Sequence, residues 1–315
     1  MQLEARLRAF SAFARRRSFS AAAAELRISQ PAVSKHIADL ERALGLKLVD
    51  RRRRDGSLTS AGEFVANYTL RAESLLAQSV CGVHELRKSG SGSLVVVASW
   101  LTGTYLLPEI IAEFKHAHPG VRISLELGTA REAIERIRAH RAELGFIAGA
   151  LTSPEIEAEP LLEIEIVIVG KPTLLPNQLS RDSLESLPWI SREEGSATRT
   201  ASETEMGRLG IAPRQRLELP SYEAVVCALT KGYGVSAISR YVVDDQLKSG
   251  ALVTFPVRGW NVKNVISALR VRDAMLTPSA EQFQDLVRMK FADMPQHRSK
   301  KERIVAPKSR KTTAL

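Results

Sequence analysis

The chain is predicted to be a mixed α/β protein with an N-terminal winged helix-turn-helix, a long linker helix and a two-lobed α/β domain. Three observations predict this. Three short helical patterns and an Asp-Gly turn fill the first 60 residues. A single helical pattern then runs to about Lys88. After a Ser-Gly stretch, β-branched runs alternate with helical segments, the order of parallel sheets with right-handed crossovers. The boundaries read 1–60, 61–88, a flexible hinge at 89–93, 94–294 for the two lobes, and a disordered basic tail at 295–315.

Each element has a local reason. Leu3, Leu7, Phe10 and Ala14 share one face of a helix over 4–16. Ser18 caps a short second helix, Phe19 to Leu26, and Ser29 caps a third that opens on Gln30. Pro31 fits only in a first helical turn, where its missing N–H costs nothing. Val33, Ile37, Leu40 and Leu44 make one apolar stripe, and Gly45 ends the helix. Leu46 to Val49 and Ser57 to Thr59 read as strands around the Asp55-Gly56 turn. Thr59 or Ser60 caps the linker helix, along which Val65, Thr69, Ala72, Leu76, Ser79, Val83 and Leu86 form an imperfect heptad seam suited to a dimer.

In the first lobe, Leu94–Ala98, Val121–Leu127 and Leu144–Ala148 read as strands. They are separated by helices at Thr102–His116 and Ala130–Arg141. The second lobe repeats the alternation, with strands near 164–169, 188–191, 216–219 and 234–238 and helices from about 197 and at 222–231. A return strand, Val262 to Arg270, and a helix over about 279–292 complete the domain. Two lobes joined by crossing strands leave a cleft, where a ligand is expected.

At 315 residues the chain is too long for one core. An apolar content of 44% and a charged content of 25% are those of a soluble globular protein, and no apolar window is long enough for a membrane span. The N-terminus has no apolar signal-peptide segment. Cys81 and Cys227 are far apart, which fits the reducing cytoplasm and argues against a zinc site or disulfide framework.

The net charge of +10 is unevenly placed. Residues 1–62 hold 13 Lys/Arg against 6 Asp/Glu, residues 296–315 hold 7 against 1, and the body holds the remaining 25 against 28. A mildly acidic body with basic ends points to a polyanion partner. On the third helix, Gln30, Pro31, Ala32, Ser34 and Lys35 face away from the apolar stripe. Such a face can enter the DNA major groove, where Gln pairs with an adenine edge and apolar groups meet thymine methyls. Arg51, Arg52, Arg53 and Arg54 would repel one another unless phosphates, or Asp50 and Asp55, neutralise them.

The run from Phe19 to Ser34, with Ile37-Ala-Asp-Leu-Glu41, Leu44-Gly45 and Leu58-Thr-Ser-Ala-Gly62, resembles the signature of LysR-type transcriptional regulators. One departure is Val49, where the family usually carries Phe. Thr102 to Pro108 and Arg192 to Arg199 are similar to the sensing domains of carbon-fixation and sulfur-assimilation regulators. The resemblance implies a sensing domain like a type 2 periplasmic binding protein and double-stranded DNA, as a pseudo-palindromic operator, for a partner. It also implies self-association as a homodimer or homotetramer, and RNA polymerase as a further partner of an activator.

In open α/β sheets, ligands sit beyond the carboxyl ends of the strands, at helix N-termini. That places Ser99, Trp100, Leu101 and Thr102 after the first strand, Gly128 and Thr129 after the second, and Ala148 and Gly149 after the third. In the second lobe, Gly195, Ser196 and Thr198 open a helix. Hydroxyls and helix N–H groups suit a small anionic metabolite, with no cofactor; the competing role for each hydroxyl is helix capping. Neither His116-x-His118 nor Gly232-x-Gly234 carries chemistry, the second reading as a helix C-cap. No clustered acid, base or nucleophile supports an enzyme. A ligand-free architectural DNA binder is the other alternative.

Overall fold

The computed structural model describes residues 2–53, 55–87, 91–149 and 151–294. Arg54, residues 89 and 90 of the expected hinge, the side chain of Leu86 and the basic tail lie outside the described residues. The chain forms two compact units. Among the described residues, one holds 2–161, 194–197 and 266–290, and the other 162–193, 198–265 and 291–294.

The first unit opens with α1 (Gln2–Arg16), α2 (Phe19–Leu26) and α3 (Gln30–Leu44). Ser18 Oγ accepts the Ala21 amide and Ser29 Oγ accepts the Ala32 amide, so both helices start at their expected caps. Phe10, Phe13, Val33, Ile37, Leu40, Leu48 and Val49 form their shared core. Leu44 does not join that core but is exposed, because the helix stops there and Gly45 turns the chain away at φ 69°. Leu3 is exposed as well.

The expected wing strands shrink to a single antiparallel bridge, Val49 with Leu58. The reason is Glu41. Its carboxylate takes the amides of Leu48 and Val49, so Leu48 N–H is not free to pair with Thr59. The amides of Thr59 and Asp50 still reach Leu48 O and Ser57 O. Gly56, at φ 73°, packs so closely on α1 that a Cβ there would stand 1.9 Å from the Arg17 carbonyl oxygen.

Helix α4 (Ser60–Arg87) follows, with Thr59 Oγ1 accepting the Gly62 amide. Its seam is divided. Val65 packs on the DNA-domain core and Thr69 bonds back to Val65 O, while Leu76 and Val83 are exposed. Phe64 and Tyr68, which the heptad reading passed over, are exposed, with ring centroids 4.9 Å apart and planes tilted at 47°.

The lobe of this unit is built on β1 (Gly92–Ser99), β2 (Val121–Gly128) and β3 (Leu144–Ala148), with β1 central and parallel to both neighbours. Residues 92 and 93, expected in the hinge, thus begin a strand. The crossovers are α5 (Leu107–Ala117), preceded by a π turn at Thr102–Leu106, and α6 (Ala130–Arg138). The long strand β4 (Ile156–Gly170) starts eight residues before its expected position near 164.

In the second unit β4 pairs antiparallel with β7 (Val235–Ser239), and β5 (Pro188–Arg192) lies parallel to β7 and to β6 (Gln215–Leu219). Helices α7 (Arg181–Ser186) and α10 (Arg240–Lys248) and strand β8 (Val253–Thr254) escaped the sequence reading. Helices α8 (Ala197–Leu209) and α9 (Tyr222–Lys231) did not. Gly232 caps α9 at φ 82°. Trp189, Ile168, Met206, Val235 and Phe255 fill this core. Strand β9 (Val262–Val271) returns to the first unit, pairs antiparallel with β3, and leads to α11 (Pro278–Asp293). Phe283 of α11 packs edge-on against Phe114 and Phe146.

Candidate DNA interface and ligand-facing strand ends

With Val33, Ile37 and Leu40 buried, the opposite face of α3 carries Gln30, Pro31 and Lys35 exposed and Ala32 and Ser34 half-buried. Arg51, Arg52 and Arg53 are exposed. The local acids do little to neutralise them. Asp50 accepts the backbone amide of Arg52, and Asp55 accepts the amide and hydroxyl of Ser57, bonds that hold its carboxyl below the usual range. By contrast, Arg15, Arg16 and Arg17 at the end of α1 are bound to Glu25, Glu73 and Glu63.

Glu41 is the residue the sequence reading missed. Burial pushes its carboxyl up, but the Leu48 and Val49 amides and the Lys47 ammonium at 3.2 Å outweigh burial and hold it below the usual range. Arg51 stands 3.8 Å from the same carboxylate. One buried anion therefore fixes the wing to the helix it flanks, and the available signal was a Glu on the apolar side of α3 (i+4 from Ile37).

At the strand ends of the first unit, Ser99 lies in register with Gly128. Ser99 Oγ accepts the Ala148 amide at 3.0 Å and lies 3.2 Å from Thr102 Oγ1. The structure thus brings Ser99, Thr102, Gly128 and Ala148 together. Leu101 and Thr102 are buried and Trp100 is exposed. Either hydroxyl can be the donor of the Ser99–Thr102 bond. Gly149, at φ 107°, ends the strand, where a Cβ would stand 3.5 Å from that of Ala197. Gly195 is exposed at φ 85°, and Ser196 is half-buried.

Thr129 answers to the capping role. Its hydroxyl accepts the Glu132 amide and its own amide donates to the Glu132 carboxylate, a reciprocal box that leaves an anion beside it.

Thr198 belongs to the second unit, buried, with its hydroxyl 3.0 Å from Tyr222 Oη. The same Tyr222 ring carries the guanidinium of Arg192 at 3.8 Å. Arg192 is 4% exposed. Its Nε and Nη2 bind Glu193 at 2.7 Å, and Nη1 is buried with no hydrogen-bond partner among the described residues. Such an orphaned cationic donor is costly in a finished fold. Arg192 opened the segment that carried the narrower resemblance, but was not chosen as a site residue.

A helix-turn-helix with an exposed polar face, joined by a long helix to an α/β sensing lobe, defines a DNA-binding transcription regulator. The chain belongs to the LysR family of these regulators. Residues 5–63 match the family model described as "Bacterial regulatory helix-turn-helix protein, lysR family", and residues 87–292 match "LysR substrate binding domain". The uncharacterized regulator YeiE of Escherichia coli is 32% identical over 272 residues, covering 85% of this chain and 91% of that one. The RuBisCO operon transcriptional regulator of Allochromatium vinosum is 30% identical over 292 residues, 91% and 96% of the two chains. The regulatory domain of CcmR from Synechocystis PCC6803, solved with 2-PG, is similar in fold at a TM-score of 0.58 and 22% identity. It covers 64% of this chain and 99% of that one.

Proposed function

We propose that this regulator binds a pseudo-palindromic operator as a homodimer or homotetramer in the cytoplasm, and that a small anionic metabolite sets its activity. It catalyses no reaction and needs no cofactor; as an activator it would also meet RNA polymerase. The observation that carries the anionic reading is the buried Arg192 with Nη1 unpartnered. A similar fold solved with 2-PG supports the same reading. In the first unit, Ser99, Trp100, Leu101, Thr102, Gly128, Ala148, Gly149, Gly195 and Ser196 are the proposed contacts. In the second they are Thr198 and Arg192. Thr129 is the weakest of the set, its hydroxyl being spent on Glu132.

Calorimetric titration with 2-PG, phosphate and sulfate tests this. Arg192→Gln should abolish binding of the anion the wild type takes. Thr102→Ala and Thr198→Ala should each weaken it by roughly ten- to a hundredfold while leaving DNA binding intact, the loss of one bond to a charged ligand. Wild-type affinity in all three variants would place the ligand elsewhere, and loss of DNA binding in all three would make these residues structural.

Self-association is proposed to use the exposed α4 face with Leu76 and Val83. Leu76→Glu would bury an unpaired charge there, so sedimentation should show dissociation and operator affinity should fall. A fully dimeric variant would assign the contact to another face.

A further inference from the structure

The linker helix has two working stripes. Leu76 and Val83 stand on one, while Gln78, Cys81 and Glu85 stand on the opposite one and meet the lobe of the first unit. Gln78 Nε2 donates to His140 O at 2.9 Å. Two turns further on, Glu85 is buried. Its Oε2 accepts the amide of Ser279, in the first turn of α11, at 2.9 Å, and its Oε1 takes the Cys81 thiol at 3.5 Å. Gly92, where β1 begins, is pressed against the same carboxylate. A Cβ there would stand 2.0 Å from Glu85 Oε1 and 2.7 Å from Ser279 Oγ. One side chain therefore joins the end of α4, the start of β1 and the start of α11.

The neighbouring contact extends the chain of bonds into the sheet. Glu143 accepts the amide of Thr277 at 2.9 Å and its hydroxyl at 3.2 Å, two residues before Ser279. Glu143 immediately precedes β3, whose other end is Ala148, the residue bonded to Ser99. A five-residue strand thus connects the ligand-facing end to the acceptor that holds the Thr277–Ser279 segment.

We propose that Glu85 is the positioning residue that registers the linker helix against the sensing lobe, so that a change at the strand ends reaches the DNA-binding domains through α11 and α4. The proposal rests on the regulatory reading above, with the ligand at the strand ends, but not on the identity of that ligand. Glu85 touches neither ligand nor DNA. Its effect appears in the geometry of the DNA complex, set by where the two linker helices hold their DNA-binding domains.

The test needs no ligand. Full-length protein is used to select its best duplex from random sequence, and that duplex becomes the probe. Affinity, bend angle and preferred half-site spacing are then measured for wild type, Glu85→Ala, Glu85→Gln and Gly92→Ala. Glu85→Ala should bind within about threefold of wild type but lose its strict spacing preference and change the bend, the signature of a coupling residue. Glu85→Gln keeps an acceptor for the Ser279 amide and should behave as wild type. Gly92→Ala should reproduce Glu85→Ala by displacing the carboxylate, and the double variant Glu85→Ala/Gly92→Ala should be no worse than either single one. Should Glu85→Ala fail to fold, Gly92→Ala and Glu85→Gln carry the comparison alone. Unchanged bend and spacing in both disrupting variants would overturn the proposal. So would a loss of affinity with geometry preserved, or effects that add in the double variant. Because no anion is present, the outcome is independent of the Arg192 titration.

Discussion

Glu41 in the DNA-binding domain and Glu143 in the sensing lobe are both buried carboxylates that hold backbone amides, yet their acidities are displaced in opposite directions. Glu41 has two amides and the Lys47 ammonium around it, which hold its carboxyl below the ordinary range. Glu143 has one amide and one hydroxyl, and Glu85 for a charged neighbour, so burial pushes it up. The wing is fixed by an ion whose surroundings repay its desolvation. The lobe junction is held by a group closer to neutrality, where a proton or a neighbour's movement counts for more.

The comparison is broken most forcefully at Glu41. Glu41→Ala leaves the buried amides of Leu48 and Val49 without an acceptor, which should cost about 2–5 kcal/mol. Because its folded acidity is depressed, Glu41 contributes stability above the ordinary carboxylate pKa, and this is lost as pH falls through the lower folded value. Acid unfolding of the wild type should therefore begin below about pH 4.3 where Glu41 is concerned, and the variant should lack that component. Chemical denaturation across pH checks it. A variant as stable as wild type would show that the wing is held by the Val49–Leu58 bridge alone.

The second pair of variants sharpens the division of labour within the DNA face. Arg52→Ala with Arg53→Ala should weaken binding to all duplexes and reduce the salt slope by about 2, as for two lost phosphate contacts. Gln30→Ala should instead relax preference at one base position by about 1–3 kcal/mol and leave the salt slope alone. Binding isotherms at several salt concentrations on matched and mismatched duplexes separate the two. An unchanged preference in Gln30→Ala would remove this helix face from base readout.

The helix-turn-helix was legible because its signals are local. Ser18, Ser29, Pro31 and Gly45 act within a few residues of their own positions, and the structure places each at the expected cap or turn. The strands of the first lobe were legible for the same reason, as β-branched runs. What escaped depends on partners far along the chain. The wing ladder is cut short by a carboxylate on α3, and Thr69 and Val65 leave the seam because the core of the DNA domain claims them. Helix α7 is six residues long, too short for a periodic signal, while α10, at nine residues, was passed over although α6 of the same length was read. At the candidate ligand site, a Ser or Thr in sequence looks the same whether it caps a helix, as Thr129 does, or pairs with another hydroxyl, as Ser99 does with Thr102. Arg192 next to Glu193 looks like a solvated pair until its burial is seen.

The smallest expected effect tests the other carboxylate. An acid whose folded pKa is raised binds its proton more tightly in the native state than in the unfolded chain. Stability then falls as pH rises from the ordinary carboxylate value through the raised one, and the penalty persists above it. Glu143→Gln removes the ionisation but keeps an oxygen for the Thr277 amide. The variant should track wild type below about pH 4.3 and become the more stable of the two as pH rises above it. His140 lies in the same neighbourhood and bends the wild-type profile the other way. Burial and the Arg71 charge hold its imidazole below the usual value, so its contribution improves as pH rises toward about 6.5. That term is common to both proteins and cancels in their difference, which is why the difference and not either profile is the measurement. A gap that widens with pH assigns the proton to Glu143. A gap of constant size would mean that Glu143 titrates as an ordinary carboxylate, and that the two buried carboxylates differ in partners but not in charge.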